Sequence, residues 1–419
     1  MGNAREVVCD SLGVLFVKLT FNNEYNSIHC MVYTVIDLFA GAGGLTTGFH
    51  LAGFQTICAI DRNEKALATF KHNYPQTQLV LAKDICKVNP MELRLALQLK
   101  REELTVLVGG PPCQGFSRNI PAECRYLEDP QNQLYKTFLN FVREFRPLYV
   151  VMENVPEILK AYNGAVREEM TIQLEKMGYG VTSASLNAAN YGVPQTRARA
   201  FFVGCLNSTA PTLPEHTHHG DIQSLKPNQR IIQLNLLQPV ASPIVTVRDA
   251  IGDLPALEAG QEYTAQTYLF EQQNNYQRLL RSGSNKLVNH IARELSPIQM
   301  SRARALKEGQ DARDLPPDLA PKKHYSGAYG RLYWDKPART ITKWVFHPGS
   351  GRFFHPIQDR TITIREAARL HSYPDNFHFL GSYTEMAAQI GESVPPLLAK
   401  VIAEYILQKC HRHHQLALN

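Results

Sequence analysis

The sequence predicts an α/β protein built on a doubly wound, mostly parallel sheet, with a second, smaller and irregular domain. Three observations carry this. From Val32 to Gly204 short apolar runs alternate with helical patterns, as strand–helix–strand units do. The first run, 34–39, ends in a glycine-rich turn, Ala40-Gly-Ala-Gly-Gly44, that opens an apolar helix. The chain also has 419 residues, more than one hydrophobic core usually serves.

Taken in order, the candidate strands are 34–39, 56–60, 78–81, 105–108, 149–152 and 200–203. Helical stretches lie between them at 44–52, where the pattern follows the glycine turn, and at 64–71, where Ala66, Leu67 and Phe70 share a face. A third, 165–177, sets Met170, Leu174 and Met177 on one stripe, at the spacing of a helix face. Residues 207–245 are rich in Pro, Thr, His, Gln and Asn with little periodicity, which places a domain boundary there. Order returns near the end, where Pro395-Pro396 open a helix carrying Leu398, Ile402, Tyr405 and Ile406 on one side; proline suits a first helical turn. The expected domains are an extension over 1–31, a catalytic and cofactor-binding domain over 32–205, a second domain over 206–355, and a segment over 356–419 that returns to the first.

Composition narrows the class. With 44% apolar and 20% charged residues the chain is neither low-complexity nor membrane-spanning, since no apolar run approaches a span. Its opening run is interrupted by Asp10 and has no small-residue cleavage site, so no secretory signal is expected. The eight cysteines contain no Cys-x-x-Cys pair. Neither a metal site nor a disulfide framework is expected, and the pattern suits a reducing cytoplasm. The net charge of +6 is uneven: between Tyr276 and His324 ten Lys/Arg face five Asp/Glu, and between Arg331 and Leu370 eight face three. A polyanionic partner accounts for that excess, and so does a solvated charged surface.

The chemistry-bearing residues gather at strand ends. Gly109-Gly-Pro-Pro-Cys-Gln-Gly-Phe-Ser117 follows the strand 105–108 and presents Cys113 where open α/β sheets hold ligands. A thiol there is a candidate nucleophile or an inert small apolar residue. Asp61 and Asp84 end the next two strands after the glycine turn. They suit acceptance from ribose hydroxyls and an adenine amino group, or helix capping. The spacing Gly41-x-Gly43-Gly44 differs from the Gly-x-Gly-x-x-Gly of dinucleotide enzymes. Glu153 follows the strand 149–152, and Arg197 and Arg199 alternate along an extended segment, where residues two apart share a face.

Asp37-Leu-Phe-Ala-Gly-Ala-Gly-Gly44, Pro111-Pro-Cys-Gln-Gly-Phe-Ser117, Glu153-Asn-Val155, Gln195-Thr-Arg-Ala-Arg199 and Gln389-Ile-Gly-Glu-Ser-Val-Pro395 stand in the order of the C5-cytosine DNA methyltransferases. Over about 32–408 the chain resembles that family in its prokaryotic restriction–modification form. The resemblance implies a Rossmann-like methyltransferase domain that holds S-adenosylmethionine through Phe39, Gly41, Gly43, Asp61 and Asp84. It implies a covalent adduct between Cys113 and C6 of a flipped-out cytosine, with Glu153 acting at N3, Arg199 at O2 and Arg197 supporting the site. A loop from Gly115 to Asn132 would close over DNA, with Ser117 and Arg118 near the backbone. A variable target-recognition region over 206–335 would precede Arg339-Thr-Ile-Thr342, the segment expected to organise it, with Arg339 and Thr340 near DNA. Tyr333 and Trp334 are expected to pack. One position departs from the family: Glu392 stands where asparagine is usual. The implied partner is double-stranded DNA, with a cognate restriction endonuclease encoded nearby but not bound, in a monomeric cytoplasmic enzyme associated with the nucleoid. Two other readings fit the scaffold: an RNA cytosine-5 methyltransferase, and a DNA-binding regulator with impaired catalysis.

Overall fold

The computed structural model describes residues 5–9, 15–19, 30–112, 134–220, 242–323 and 325–418, with side chains described from 32 to 411 within those segments. The chain divides into two compact units. The first comprises Met1–Leu186, Ala198–Pro214 and Ala399–Asn419, and the second Asn187–Arg197 and Glu215–Leu398.

Unit 1 opens with a three-stranded antiparallel sheet, β1 (Arg5–Cys9), β2 (Leu15–Leu19) and β3 (Cys30–Val32). The extension expected to precede all strands therefore contains three. The alternation that follows is the one legible in the sequence. It runs β4 (Thr34–Leu38), α1 (Gly44–Leu51), β5 (Gln55–Asp61), α2 (Glu64–Asn73), β6 (Leu79–Ala82), α3 (Pro90–Ala96) and β7 (Val106–Gly109). It continues with α4 (Leu134–Phe145), β8 (Tyr149–Asn154), α5 (Ala165–Lys176) and β9 (Tyr179–Asn187). After the short β10 (Gln195–Thr196), β11 (Ala198–Leu206) completes a seven-stranded sheet of order β6-β5-β4-β7-β8-β11-β9. β4, β5, β6, β7 and β8 run parallel, while β11 runs antiparallel to β8.

The chain moves outward from β4 to β5 and β6, then returns to place β7 on the other side of β4. The ends of β4 and β7 thus form a switch point, the crevice where such sheets bind ligands. α3, α4 and β9 lie outside the stretches that the sequence marks. α4 follows a polar segment, and its buried Phe138, Phe141 and Phe145 each contribute about 1.5–3 kcal/mol by leaving water. The expected stripes are present: Ala66, Leu67, Phe70, Met170 and Leu174 are buried, with Met177 packed at the edge.

Unit 2 contains the pair β12 (His218–His219) and β13 (Ser242–Pro243), and β14 (Ala338–Arg339) parallel to β10. Its helices are α6 (Val247–Ile251), α7 (Asn275–Arg281), α8 (Pro297–Ala305), α9 (Ile364–Leu370) and α10 (Tyr383–Glu392); α11 (Pro396–Leu418) follows. The second compact unit extends to Leu398, so residues 356–398, expected to rejoin the first domain, pack within the second. Tyr333 and Trp334 are half-buried, each with a guanidinium over its ring: Arg352 over Tyr333 and Arg248 over Trp334.

Buried arginines hold unit 2 together. Arg360 donates to both carboxylate oxygens of Glu366 at 2.7 Å, with both side chains inaccessible. Arg369 donates to Asp375 at 2.7 and 2.9 Å, to Asp253, and to the Ala250 carbonyl. Arg365 donates to the carbonyls of Val288, Pro374 and Phe377. Burial alone would raise the Asp375 carboxyl, but Arg369 holds it below its ordinary value. This organising role was expected of Arg339–Thr342. That segment instead ties β14 to β10, with Thr340 Oγ1 donating to the Thr196 carbonyl. The missed signal was Thr363-Ile-Arg-Glu366, a capping box whose reciprocal hydrogen bonds open α9.

Removing one partner of a buried ion pair leaves an uncompensated charge, at about 3–5 kcal/mol. Arg369→Ala is expected to destabilise the full-length chain by about that much in urea denaturation. A loss nearer that of an exposed pair, about 0–1 kcal/mol, would contradict the role given to this network.

Candidate active site

The carboxyl edge of the unit 1 sheet collects the candidate residues. β4 leaves the sheet through Phe39, which takes a left-handed φ of 65°, and Gly41 and Gly43 are left-handed at 54° and 100°. The Gly41 N–H donates to Asp61 Oδ2 at 2.8 Å, and the Asn63 N–H to Asp61 Oδ1 at 2.8 Å. Asp61 therefore braces the turn from the neighbouring strand end. On the following strand end, Asp84 is exposed and accepts from the Cys86 N–H at 3.0 Å. The capping role open to Asp84 is thus real, and one carboxylate can cap and bind together. Beneath the turn, Asp37 is fully buried; its Oδ2 accepts from Thr46 Oγ1 at 2.7 Å. Sequence reasoning placed Asp37 in the first motif without marking it as a titratable group. Burial pushes its carboxyl up to about 7, against the hydrogen bonds from Thr46.

β7 ends at Gly109, where a Cβ would lie 2.5 Å from the Leu38 carbonyl. Only glycine allows β7 this close to β4, and the arm Gly110-Pro-Pro112 leaves from there. The buried Asn154 side chain donates to the Pro111 carbonyl at 3.0 Å, and its own oxygen accepts from the Val155 N–H. Asn154 thereby anchors the arm that leads to Cys113. Cys113, Ser117 and Arg118 lie outside the described residues. Glu153 Oε1 meets Arg199 Nε at 2.9 Å, with both side chains largely buried. Glu153 Oε2 sits 2.9 Å from where a Cβ on Gly110 would be, so the carboxyl faces the arm.

Arg197 does not share a face with Arg199. It sits in a break between β10 and β11, where its N–H donates back to the Gln195 carbonyl. Its buried guanidinium donates to the carbonyls of Ile341, Gly391 and Ser393 at 2.8, 2.9 and 3.0 Å. Arg197, expected to support the site, thus joins three backbone carbonyls of unit 2 and does not point along the face of Arg199. Glu392, the departure from the family, is exposed and paired with Lys343 at 3.0 Å. Arg339 is exposed at the end of β14.

The C-5 cytosine-specific DNA methylase family matches residues 33–408. The chain belongs to that family. It is a DNA cytosine-5 methyltransferase that uses S-adenosylmethionine. The type II methyltransferase M1.HphI of Haemophilus parahaemolyticus is 34% identical to this methylase over 91% of the chain and 88% of its own length. The type II methyltransferase M.DdeI of Desulfomicrobium norvegicum is 34% identical over 89% of the chain and 88% of its own length. Among solved structures, one described as a DNA modification methyltransferase encoded within an E. coli prophage has a TM-score of 0.68 at 26% identity. It covers 90% of this chain and 99% of that one. No helix among the described residues is long and apolar enough to cross a membrane.

The residues present fit the cofactor. A Cβ on Gly41 would meet nothing within 4 Å, so the turn borders open space. Asp37 Oδ1, beneath the turn, is buried with no hydrogen-bond partner among the described residues, an acceptor left unmet next to the glycine turn.

Two expectations follow. Asp84→Ala is expected to weaken S-adenosylmethionine binding roughly 5- to 150-fold, as for one unpaired polar contact of about 1–3 kcal/mol. Asp61→Ala should weaken it further and lower thermal stability, because the Gly41 brace is lost as well; equal effects on both readouts would contradict the bracing role. Asp37 has a raised folded pKa, so its stabilising contribution is complete below 3.8 and lost as pH rises through about 7. Melting temperatures should therefore fall from acid to mildly alkaline pH more steeply for the wild type than for Asp37→Asn. Parallel profiles would contradict it.

Proposed function

We propose that this methylase acts through a covalent Cys113–C6 adduct on a flipped-out cytosine within a specific sequence of duplex DNA. The observation that carries the reading is the Glu153–Arg199 pair beside the Pro111-Pro112 arm. C5 of cytosine is a poor nucleophile, and addition of a thiolate at C6 makes it enamine-like. The addition puts negative charge on the ring, which a proton at N3 relieves. Glu153 is the group positioned to present that proton, and Arg199 holds the carboxyl while reaching toward O2. S-adenosylmethionine supplies an electrophilic methyl group when bound. Phe39, Gly41, Gly43, Asp61 and Asp84 hold it at the neighbouring strand ends. Loss of the C5 proton then lets the Cys113 thiolate leave and restores aromaticity.

A base stacked inside a duplex is out of reach of an enzyme's nucleophile. Flipping it costs a few kcal/mol of unstacking and unpairing. Ser117 and Arg118, next to the thiol, offset part of that by contacting the DNA backbone. Arg339 and Thr340 contact DNA from unit 2. The similarity to type II methyltransferases supports a restriction–modification role, which a cytoplasmic monomer would fill. Its cognate endonuclease would be encoded nearby and act separately.

Duplex DNA with 5-fluorocytosine at the target blocks loss of the C5 substituent, so it should trap the protein in a complex that survives denaturation. Cys113→Ser is expected to abolish trapping while keeping cofactor affinity. Normal trapping by that variant would rule out the nucleophile assignment.

A further inference from the structure

Unit 2 carries a cleft of about 350 Å³ whose lining includes Thr196, Tyr325, Gly327, Arg339, Ser350 and Arg352. Its wall is tied together by internal hydrogen bonds and ion pairs. Buried Asp311 is held well below the ordinary carboxylate range, chiefly by Arg313, with help from the Gly327 N–H. Arg352 donates to Asp311 at 3.0 Å and to the carbonyls of Gly309 and Arg331 at 2.7 Å. Gly327 has a φ of +92°, and a Cβ there would lie 3.4 Å from Arg339 Nη1. The bare backbone gives the guanidinium its room. Thr340 fixes the strand pair under it.

Two large side chains at this cleft are not spent on the wall. Tyr325 is 55% exposed. Among the described residues, no hydrogen bond or ion pair engages the exposed Arg339 guanidinium. Burial, and then the nearby charge of Arg339, disfavour the charged form of Arg352, so two cations stand close together. None of the described lining residues is acidic. The cleft is therefore set to receive hydrogen-bond acceptors. Phosphates and guanine edges both supply them; a phosphate contact would fix register without reading sequence. An exposed guanidinium fork beside an exposed aromatic ring matches the O6 and N7 acceptors of guanine, the commonest specific contact of arginine.

Resting on the methylase reading, we propose that Arg339 reads a guanine of the target sequence in the major groove. Tyr325 packs on the adjoining base pair, and both residues determine specificity. The test uses full-length Arg339→Ala, Arg339→Lys and Tyr325→Ala proteins on duplex DNA with randomised positions around the target cytosine. Bisulfite sequencing reads the modified sites. Arg339→Ala should lose discrimination at one base pair by roughly 5- to 150-fold, with other positions, salt dependence and cofactor affinity retained. Arg339→Lys should keep part of the preference, and Tyr325→Ala should relax a neighbouring position.

A uniform loss across all sequences, with the salt slope reduced by about one, would make Arg339 a phosphate contact and overturn the proposal. So would an unchanged preference in both alanine variants. Should a variant modify too little DNA, equilibrium binding to the same randomised duplexes gives the positional preference directly. A wild-type chain that modifies no cytosine overturns the methylase reading, and this proposal with it.

Discussion

β11 runs antiparallel to β8 in a sheet whose five neighbouring strands are otherwise parallel, and the reactive edge depends on that reversal. In a parallel strand, residues just before the start lie at the amino edge, away from the ligand crevice. Because β11 enters from the opposite end, Ala200 pairs with Asn154 and Phe201 with Glu153. Arg199, at the start of β11, therefore reaches Glu153, at the end of β8. Glu153 thereby gains a fixed cationic partner from the chain's return. The same edge receives the arm to Cys113, because β7 ends at Gly109, which pairs with Met152 near the end of β8. Asn154 then sets the arm's direction through the Pro111 carbonyl.

Unit 2 solves a different problem. It has short helices and few strands, so its shape comes from guanidiniums bound to carboxylates and backbone carbonyls. Arg197, Arg360, Arg365 and Arg369 are among its largest fully buried side chains. Such groups tolerate burial only when their donors are met, and the planar fork of arginine satisfies several carbonyls at once. Arg197 shows the economy of this: it links Ile341 to Gly391 and Ser393 within the unit. A frame of this kind specifies loop positions without a regular sheet, and it leaves the side chains of Tyr325 and Arg339 exposed.

The catalytic sheet was legible because apolar runs report parallel strands directly. Asp61 and Asp84 stood out for the same reason, as acids at the ends of such runs. The N-terminal strands and β9 escaped notice. β9 mixes polar and small residues over Tyr179–Asn187, a pattern that does not alternate cleanly. The buried arginines were hidden for a physical reason. A charged residue in a sequence reads as surface, and only tertiary pairing of Arg369 with Asp253, distant along the chain, reveals otherwise. Arg197 misled because alternation assumes an unbroken strand, and the chain breaks at that residue.

The most direct test of the account is bisulfite sequencing of DNA from cells expressing this chain. The account predicts conversion-resistant cytosines at one fixed position of a recurring short sequence, lost when Glu153 or Cys113 is replaced. Protection that is absent, or that persists when both residues are replaced, would contradict it.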